Sequence, residues 1–247
     1  RDYLVEKTLE RALLFGWVSG SGLENVLSRV REHHLRLPHF IASGLGTDIT
    51  HYDQSHFSAK DPRWEQVMLE SGYSPDKIAK LIERLDEEGI PLVPQDSRHN
   101  GRFKTSFYYR SVDSQEDSDR LGRIETLARQ EGIRSNVGRC NPLAGDPEDS
   151  FDVDLTPLVA GKRNVVEFVI SQTQVDPLNT LAFGDSENDI EMLETVAQGY
   201  LLGNATDGAK RLYPNHAEKH YAQGILSVLR EQSFLNPNSN GPKIVRR

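Results

Sequence analysis

Leu181-Ala182-Phe183-Gly184-Asp185-Ser186-Glu187-Asn188-Asp189-Ile190-Glu191-Met192-Leu193 is the stretch whose reading decides the fold. Its apolar start reads as a short buried strand. Gly184 permits a sharp turn, and Asp185 falls at the strand's carboxyl end. Asn188 and Asp189 open a helix in which Ile190, Leu193 and Val196 recur at helical spacing. A carboxylate where a strand meets a helix lies at the rim where open α/β sheets bind ligands. Asp185 and Asp189, four positions apart, can face one pocket and hold a hard cation through oxygen. A turn with an acidic N-cap would account for a lone Asp-Ser pair. Gly, Asp, Asn and Asp in fixed order after an apolar strand favour the ligand site.

The chain around this stretch has 247 residues, enough for one large domain or a core domain carrying an insert. Hydrophobic residues make up 36% and charged residues 27%, the balance of a soluble globular protein. A net charge of −8 argues against non-specific binding to nucleic acid or to an anionic membrane surface. It leaves room for a locally basic pocket and a phosphate substrate. Cys140 is the only cysteine, so neither an intrachain disulfide nor a thiolate zinc cluster can form. No apolar run approaches the ~20 residues of a membrane span, and no signal peptide is visible. The expected compartment is the cytoplasm. The composition carries no expectation about oligomeric state.

Read in order, Asp2 to Arg11 looks like a helix end and Leu13 to Val18 like a buried strand. Ser19-Gly20-Ser21-Gly22 follows, then an amphipathic helix through Leu23, Val26, Leu27 and Val30. Free N–H groups at such a turn suit a phosphate, although an ordinary turn capped by Ser21 reads equally well. His39 to Ala42 gives a short strand, and Ser43 to Gly46 turns into Thr47 to Tyr52, a second strand followed by a hairpin. The pattern then changes. Helices are expected over Asp61 to Glu70 and from Ser74-Pro75, the latter stopping at Gly89. Phe103 to Tyr109 alternates as a strand, and a helix through Leu121, Ile124 and Leu127 ends at Gly132. The charge run Asp113 to Asp119 reads as a solvated helix start.

Residues 53–150 therefore form an expected small α+β domain inserted into the main sheet. Phe151 to Leu155 returns to a strand of that sheet, read as a half-exposed edge strand. Lys162 begins an apolar helix, and a strand Tyr200 to Leu202 and two further helices follow the 181–193 stretch. This alternation predicts an α/β fold with a doubly wound parallel sheet, Rossmann-like, as the core. The core comprises 1–52 and 151–232. Residues 233–247, rich in Asn, Pro and Gly, read as a linker or disordered tail.

Ser19 after the first strand, Lys162 at a helix start and Asp185 after a later strand combine a hydroxyl donor, a cation and a carboxylate. Phosphoryl transfer needs those groups, because its catalysis is mostly positioning and electrostatics. At this point the chain resembles the haloacid dehalogenase superfamily of phosphohydrolases. Leu13 to Ser19 looks like its second motif, Lys162 like its third-motif lysine, and Gly184 to Asp189 like its fourth motif. An α+β cap between the second and third motifs marks the Cof and sucrose-phosphatase-like subclass. Ser43-Gly44-Leu45-Gly46-Thr47-Asp48-Ile49 is similar to that subclass. Gly16 to Ser21, Pro38 to Ser43 and Arg139 to Ser150 look like one of its sugar-phosphate phosphatases.

The resemblance implies Mg²⁺-dependent hydrolysis of a sugar 6-phosphate through an aspartyl-phosphate. Ser19 and the Gly20 N–H would hold phosphoryl oxygens, Lys162 would neutralise transition-state charge, and Asp185 would ligate Mg²⁺. Asn188 and Asp189 would orient Lys162, a metal-bound water or the phosphate. Arg139 and Asn141 are candidates for sugar contact, with a plain surface cation as the other reading of Arg139.

One departure from the family pattern stands out. The family's first motif, a strand followed by Asp-x-Asp, supplies nucleophile and general acid/base, and its strand lies between those ending at Ser19 and Asp185. No such motif precedes Ser19 in these residues. Residues 1–247 thus read as a fragment, expected to be inactive and unstable alone unless the neighbouring strands close the gap. The alternative is an inactive domain that binds sugar phosphates. Phe151-Asp152-Val153-Asp154-Leu155-Thr156 spells Asp-x-Asp-x-Thr, but its place before Lys162 and its alternation argue against a nucleophile.

Overall fold

The computed structural model describes residues 13–53, 58–142, 145–173 and 175–231. Expectations for the helix over Asp2 to Arg11 and for the tail 233–247 fall outside them. The chain divides into two compact units. The first draws on Arg1–Val18, His33–Phe40 and Lys162–Arg247, the second on Ser19–Glu32 and Ile41–Gly161.

Strand β1 spans only Gly16–Val18. Leu14 and Phe15 just before it are 41% and 43% exposed, so the expected strand is shorter and less buried than its apolar run implied. Helix α1 (Leu23–Glu32) follows the small-residue turn. Strand β2 (Phe40–Ser43) is buried at every position. Strands β3 (Asp48–Tyr52) and β4 (Ser58–Lys60) form the expected hairpin, with Thr50 opposite Lys60.

Helices α2 (Pro62–Glu70) and α3 (Pro75–Glu87) start where the sequence signals them. The Asp61 carboxylate accepts the N–H groups of Arg63 and Trp64, and Ser74 accepts that of Lys77. Each cap is followed by Pro at the first helical position, where no intrahelical N–H is needed. Strand β5 is Val93–Pro94, β6 is Thr105–Arg110, α4 is Ser114–Gln130, β7 is Ile133–Arg139 and β8 is Ser150–Pro157. Asp113 caps α4 as expected. Asp117, in the same charge run, is not solvated. It is 5% exposed and accepts the Tyr109 hydroxyl and the Val112 N–H, both at 2.9 Å.

The main correction concerns β8. The strand expected at the edge of the core is the third of four in an antiparallel sheet of order β5-β6-β8-β7. Val153 pairs with Phe107 on one side and with Val137 on the other. The boundary expected after residue 150 therefore moves to Gly161. Period-two alternation caused the error: it marks one wet and one dry face, whichever sheet the strand joins. Phe107, Tyr109, Val153 and Leu155 face α3 and α4, joining Leu81, Leu85, Ile124 and Leu127 in one core. Ser106, Asp152 and Asp154 take the opposite, polar face.

Back in the first unit, α5 (Lys162–Thr173) packs through Val165 and Val169. Strand β9 (Leu181–Gly184) is followed by a 3₁₀ turn over Glu187–Asp189 and by the short helix α6 (Ile190–Leu193). Val196, expected on that helix, lies beyond its end. Strand β10 (Gln198–Leu201) pairs in parallel with β9, Tyr200 opposite Phe183. Helices α7 (Asp207–Leu212) and α8 (Tyr221–Glu231) complete the unit.

Val18 of β1 and Ala182 of β9 pack against the same cluster, Met192, Leu193, Leu201, Ala205 and Ala209. Yet β1 and β9 belong to different sheets, and β9 has β10 as its only partner among the described residues. Among the described residues, β1 and β9 are therefore not paired with each other.

Candidate active site

The first unit gathers Lys162, Asp185, Asn188 and Asp189 at the carboxyl end of β9. Lys162 sits at the first position of α5, and its Nζ donates to Asp189 Oδ1 at 2.6 Å and to Asn188 Oδ1 at 2.8 Å. Asp189 is 5% exposed. Its other oxygen accepts the backbone N–H of Asp185 at 2.9 Å, that of Ser186 at 3.1 Å and the Ser186 hydroxyl at 3.1 Å. One buried carboxylate therefore holds both the lysine and the turn that carries Asp185. Burial of such an acid is tolerated because it is paired and hydrogen-bonded.

The local sequence builds this turn. Gly184 lies against Asp189, and a Cβ at residue 184 would fall 2.6 Å from the Asp189 Cγ. Only glycine leaves room for the acid to reach the N–H groups of residues 185 and 186. Ser186 completes a capping box with Asp189, so the N-cap reading of this stretch holds. Asp185 itself is exposed. Its Oδ2 accepts Asn204 Nδ2 at 3.2 Å, and its backbone carbonyl accepts Thr206 N–H at 2.9 Å. Nothing in the sequence patterns pointed to Asn204. Its only signal was Gly203-Asn204, a turn dipeptide after a strand.

The other expected site residues lie in the second unit, each among its own contacts. Ser19 N–H donates to Ala42 O at 2.8 Å, and the Ser19 Oγ accepts Ser21 N–H at 3.1 Å. Among the described residues, no acceptor takes the hydroxyl proton of Ser19. Gly20 packs beside Leu45, which has φ 60 between Gly44 and Gly46, both also left-handed. That loop is fixed by Trp64, whose indole N–H donates to Gly46 O at 3.1 Å.

Arg139 stands at the end of β7 with its guanidinium 4.8 Å over the Phe151 ring and 3.6 Å from Asp149. Asn141 donates its backbone N–H to Asp146 at 3.1 Å.

The Asp-x-Asp-x-Thr stretch lies on the polar face of the β6-β8-β7 sheet. Asp152 accepts Gln95 Nε2 at 2.7 Å; Asp154 accepts Ser106 Oγ at 2.6 Å and Lys104 Nζ at 3.0 Å. Burial raises the Asp152 carboxyl above its ordinary range, and repulsion from Asp146 and Asp154 adds to this. Burial likewise pushes the neighbouring Cys140 thiol up to about 12, with Asp152 and Asp146 contributing.

No group of three or more His, Cys, Asp or Glu side chains forms a metal centre among the described residues. Asp185 fits Mg²⁺ as a hard, exposed oxygen donor. That ion takes one or two carboxylates and fills its shell with water and phosphate oxygens. Among the described residues, no helix is long and apolar enough to cross a membrane.

A model of the sucrose-6F-phosphate phosphohydrolase family matches residues 2–231. Kanosamine-6-phosphate phosphatase of Bacillus subtilis (strain 168) is 41% identical over 232 residues, covering 93% of this chain and 82% of that protein. The crystal structure of YhjK, a haloacid dehalogenase-like hydrolase from Bacillus subtilis, superposes with a TM-score of 0.73 at 40% identity, over 93% of this chain and 81% of that one. Sucrose-phosphatase from Synechocystis sp. PCC6803, solved with sucrose and phosphate, gives 0.70 at 20% identity, over 93% and 89%. The last likeness is one of fold, an α/β haloacid dehalogenase-like core with an inserted cap. On the family match and the 41% relative together, the chain belongs to the sucrose-6F-phosphate phosphohydrolase family.

Proposed function

We propose that this protein hydrolyses the phosphate monoester of a sugar, a sugar 6-phosphate of the kanosamine-6-phosphate or sucrose-phosphate type, with Mg²⁺ as cofactor. The observation that carries the reading is the Lys162–Asp189 pair beside Asp185. An ammonium has three N–H donors, and Lys162 uses two of them on Asn188 and Asp189. The third is left for a phosphoryl oxygen. Held this way, the charge is in place before phosphate charge develops and needs no reorganisation as it does so.

Asp185 would hold the Mg²⁺, which supplies charge neutralisation at phosphoryl oxygens. Ser19 and Gly20 as phosphate donors rest on the family pattern and on the free hydroxyl proton of Ser19. Arg139 and Asn141 are proposed sugar contacts, in a cap that would choose the sugar. In this reading a carboxylate attacks phosphorus while the sugar oxygen leaves with a proton, and water then cleaves the aspartyl-phosphate. The attacking and proton-carrying acids belong to the Asp-x-Asp motif, which residues 1–247 do not carry ahead of Ser19.

The test measures phosphate release from sugar 6-phosphates, using residues 1–247 alone and with a first-motif segment fused ahead of Arg1. Release by the fused form that requires Mg²⁺ and is lost in Asp185→Asn is the expected result. Sugar-phosphate binding without release by the fused form would support the binding-domain alternative instead.

A further inference from the structure

The loop after β10 closes on the end of β9. Leu202 N–H donates to Gly184 O and Thr206 N–H to Asp185 O, both at 2.9 Å. Between them Asn204 Nδ2 donates to Asp185 Oδ2 at 3.2 Å. A second bond sets the orientation of that amide: Asn204 Oδ1 accepts the Tyr221 N–H at 2.7 Å. Tyr221 is the first residue of α8 and has φ 50, a left-handed conformation uncommon outside glycine. Its N–H has no partner within the helix, as for any first-turn donor. Flipping the Asn204 amide would lose both bonds.

The loop is itself pinned. Gly203 N–H donates to Lys219 O at 3.0 Å, and Lys210 Nζ donates to Gly203 O at 2.7 Å. Asn204 is therefore a fixed clamp on one oxygen of Asp185. Among the described residues, the other oxygen, Oδ1, takes no hydrogen bond.

We infer that Asn204 is a positioning residue that keeps Asp185 a one-oxygen ligand and thereby favours Mg²⁺ over Ca²⁺. The inference rests on the assignment of Asp185 as the cation ligand. Mg²⁺ is small and demands near-octahedral geometry with single oxygens, whereas Ca²⁺ readily takes both oxygens of one carboxylate. A carboxylate whose second oxygen is already held by an N–H makes a poor two-oxygen ligand. The clamp thus costs Ca²⁺ a contact that Mg²⁺ does not use.

The experiment measures Mg²⁺ and Ca²⁺ affinities of residues 1–247 by competition against Mn²⁺, read from the free-ion electron spin resonance signal. Wild type, Asn204→Ala, Asn204→Ser and the Asp185→Asn control are compared. Asn204→Ala should weaken Mg²⁺ by roughly tenfold, as loss of a partner that orients a metal ligand generally does, while Ca²⁺ changes less. The Mg²⁺ to Ca²⁺ ratio therefore falls. Asn204→Ser keeps a donor and should retain part of the ratio; it carries the test if the alanine variant does not fold. Infrared carboxylate bands, taken as differences against Asp185→Asn, should report two-oxygen ligation of Ca²⁺ only when the clamp is gone. An unchanged ratio, or no Asp185-dependent binding of either ion, overturns the inference. A shifted ratio without sugar-phosphate release by the fused form would uphold the clamp and remove the phosphatase reading.

Discussion

Lys162 Nζ and Asp189 Oδ1 lie 2.6 Å apart with 11% and 7% of their side chains exposed. The pair therefore sits in a poorly screened environment. Removing one partner of a buried pair leaves an uncompensated charge, which costs about 3–5 kcal/mol. Asp189 keeps three other donors when the lysine is lost, so Lys162→Met should cost about 3 kcal/mol, the lower end of that range. Urea denaturation checks this. The double variant Lys162→Met with Asp189→Asn should be less unstable than the sum of the single changes, because the two side chains are coupled. In the form fused to a first motif, Lys162→Ala should lower kcat more than it raises KM, because the ammonium acts on transition-state charge.

The same acid constrains its neighbour in the turn. A methyl group at residue 184 would press on the Asp189 side chain, with Cγ 2.6 Å and Oδ2 2.9 Å away. Asp189 cannot retreat without releasing Lys162 and the N–H groups of residues 185 and 186. Gly184→Ala should therefore cost about 1–3 kcal/mol, as overpacking does. It should also weaken Mg²⁺ binding in competition against Mn²⁺, since Asp185 rides on the displaced turn. A variant with unchanged stability would show that the turn can relax.

This site was largely legible in the sequence, because local chemistry wrote it. Gly184, Asp185, Asn188 and Asp189 act within one turn, and a strand, a glycine and a helix start fix their geometry. The Ser74 cap and the helix starts near Asp61 and Asp113 were readable for the same reason. Features set by distant parts of the chain were not. Asn204 meets Asp185 only because β10 pairs with β9 and returns its loop to the same end. The alternation in β8 gave its wet and dry faces but not its partners, which lie from 12 residues away (Arg139 opposite Phe151) to 50 residues away (Thr105 opposite Leu155) in β7 and β6. The burial of Asp117 followed from Tyr109 and Ser111, outside its own helix.

Stability should respond to pH with opposite signs at two acids of the second unit. Burial alone would raise Asp61, but hydrogen bonds from His51, Trp64 and Arg63 hold it below its ordinary value. Its contribution is present above the unfolded-state value and is lost as pH falls through the lowered one. Burial raises Asp152, so its contribution is present below the unfolded-state value and is lost as pH rises through the raised one. Asp152→Asn keeps an oxygen for Gln95 while removing a charge that burial and two other acids oppose. It should raise the melting midpoint at pH 7 and leave it little changed near pH 4. Removing that charge should also speed alkylation of Cys140 at pH 8, which starts slow because the thiol is pushed up to about 12.

The second Asp-x-Asp-x-Thr acid separates a nucleophile from a structural carboxylate. Asp154 accepts Ser106 Oγ and Lys104 Nζ, whose side chain is 14% exposed. A nucleophilic carboxylate must present a lone pair to phosphorus, and these partners draw on the lone pairs of Oδ1. The strand carrying Asp154 lies in the interior of the β5-β6-β8-β7 sheet, away from the sequence context of the family's first motif. Asp154→Asn should therefore destabilise the second unit, since Lys104 loses its counter-charge while remaining largely buried. In the fused form, phosphate release per folded molecule should persist in both Asp152→Asn and Asp154→Asn, whereas Asp185→Asn abolishes it. Incubating these variants with a sugar 6-phosphate and trapping any acyl phosphate with hydroxylamine locates the attacking acid directly. Modification at Asp152 or Asp154 would move the nucleophile into the β8 sheet and end the assignment made here.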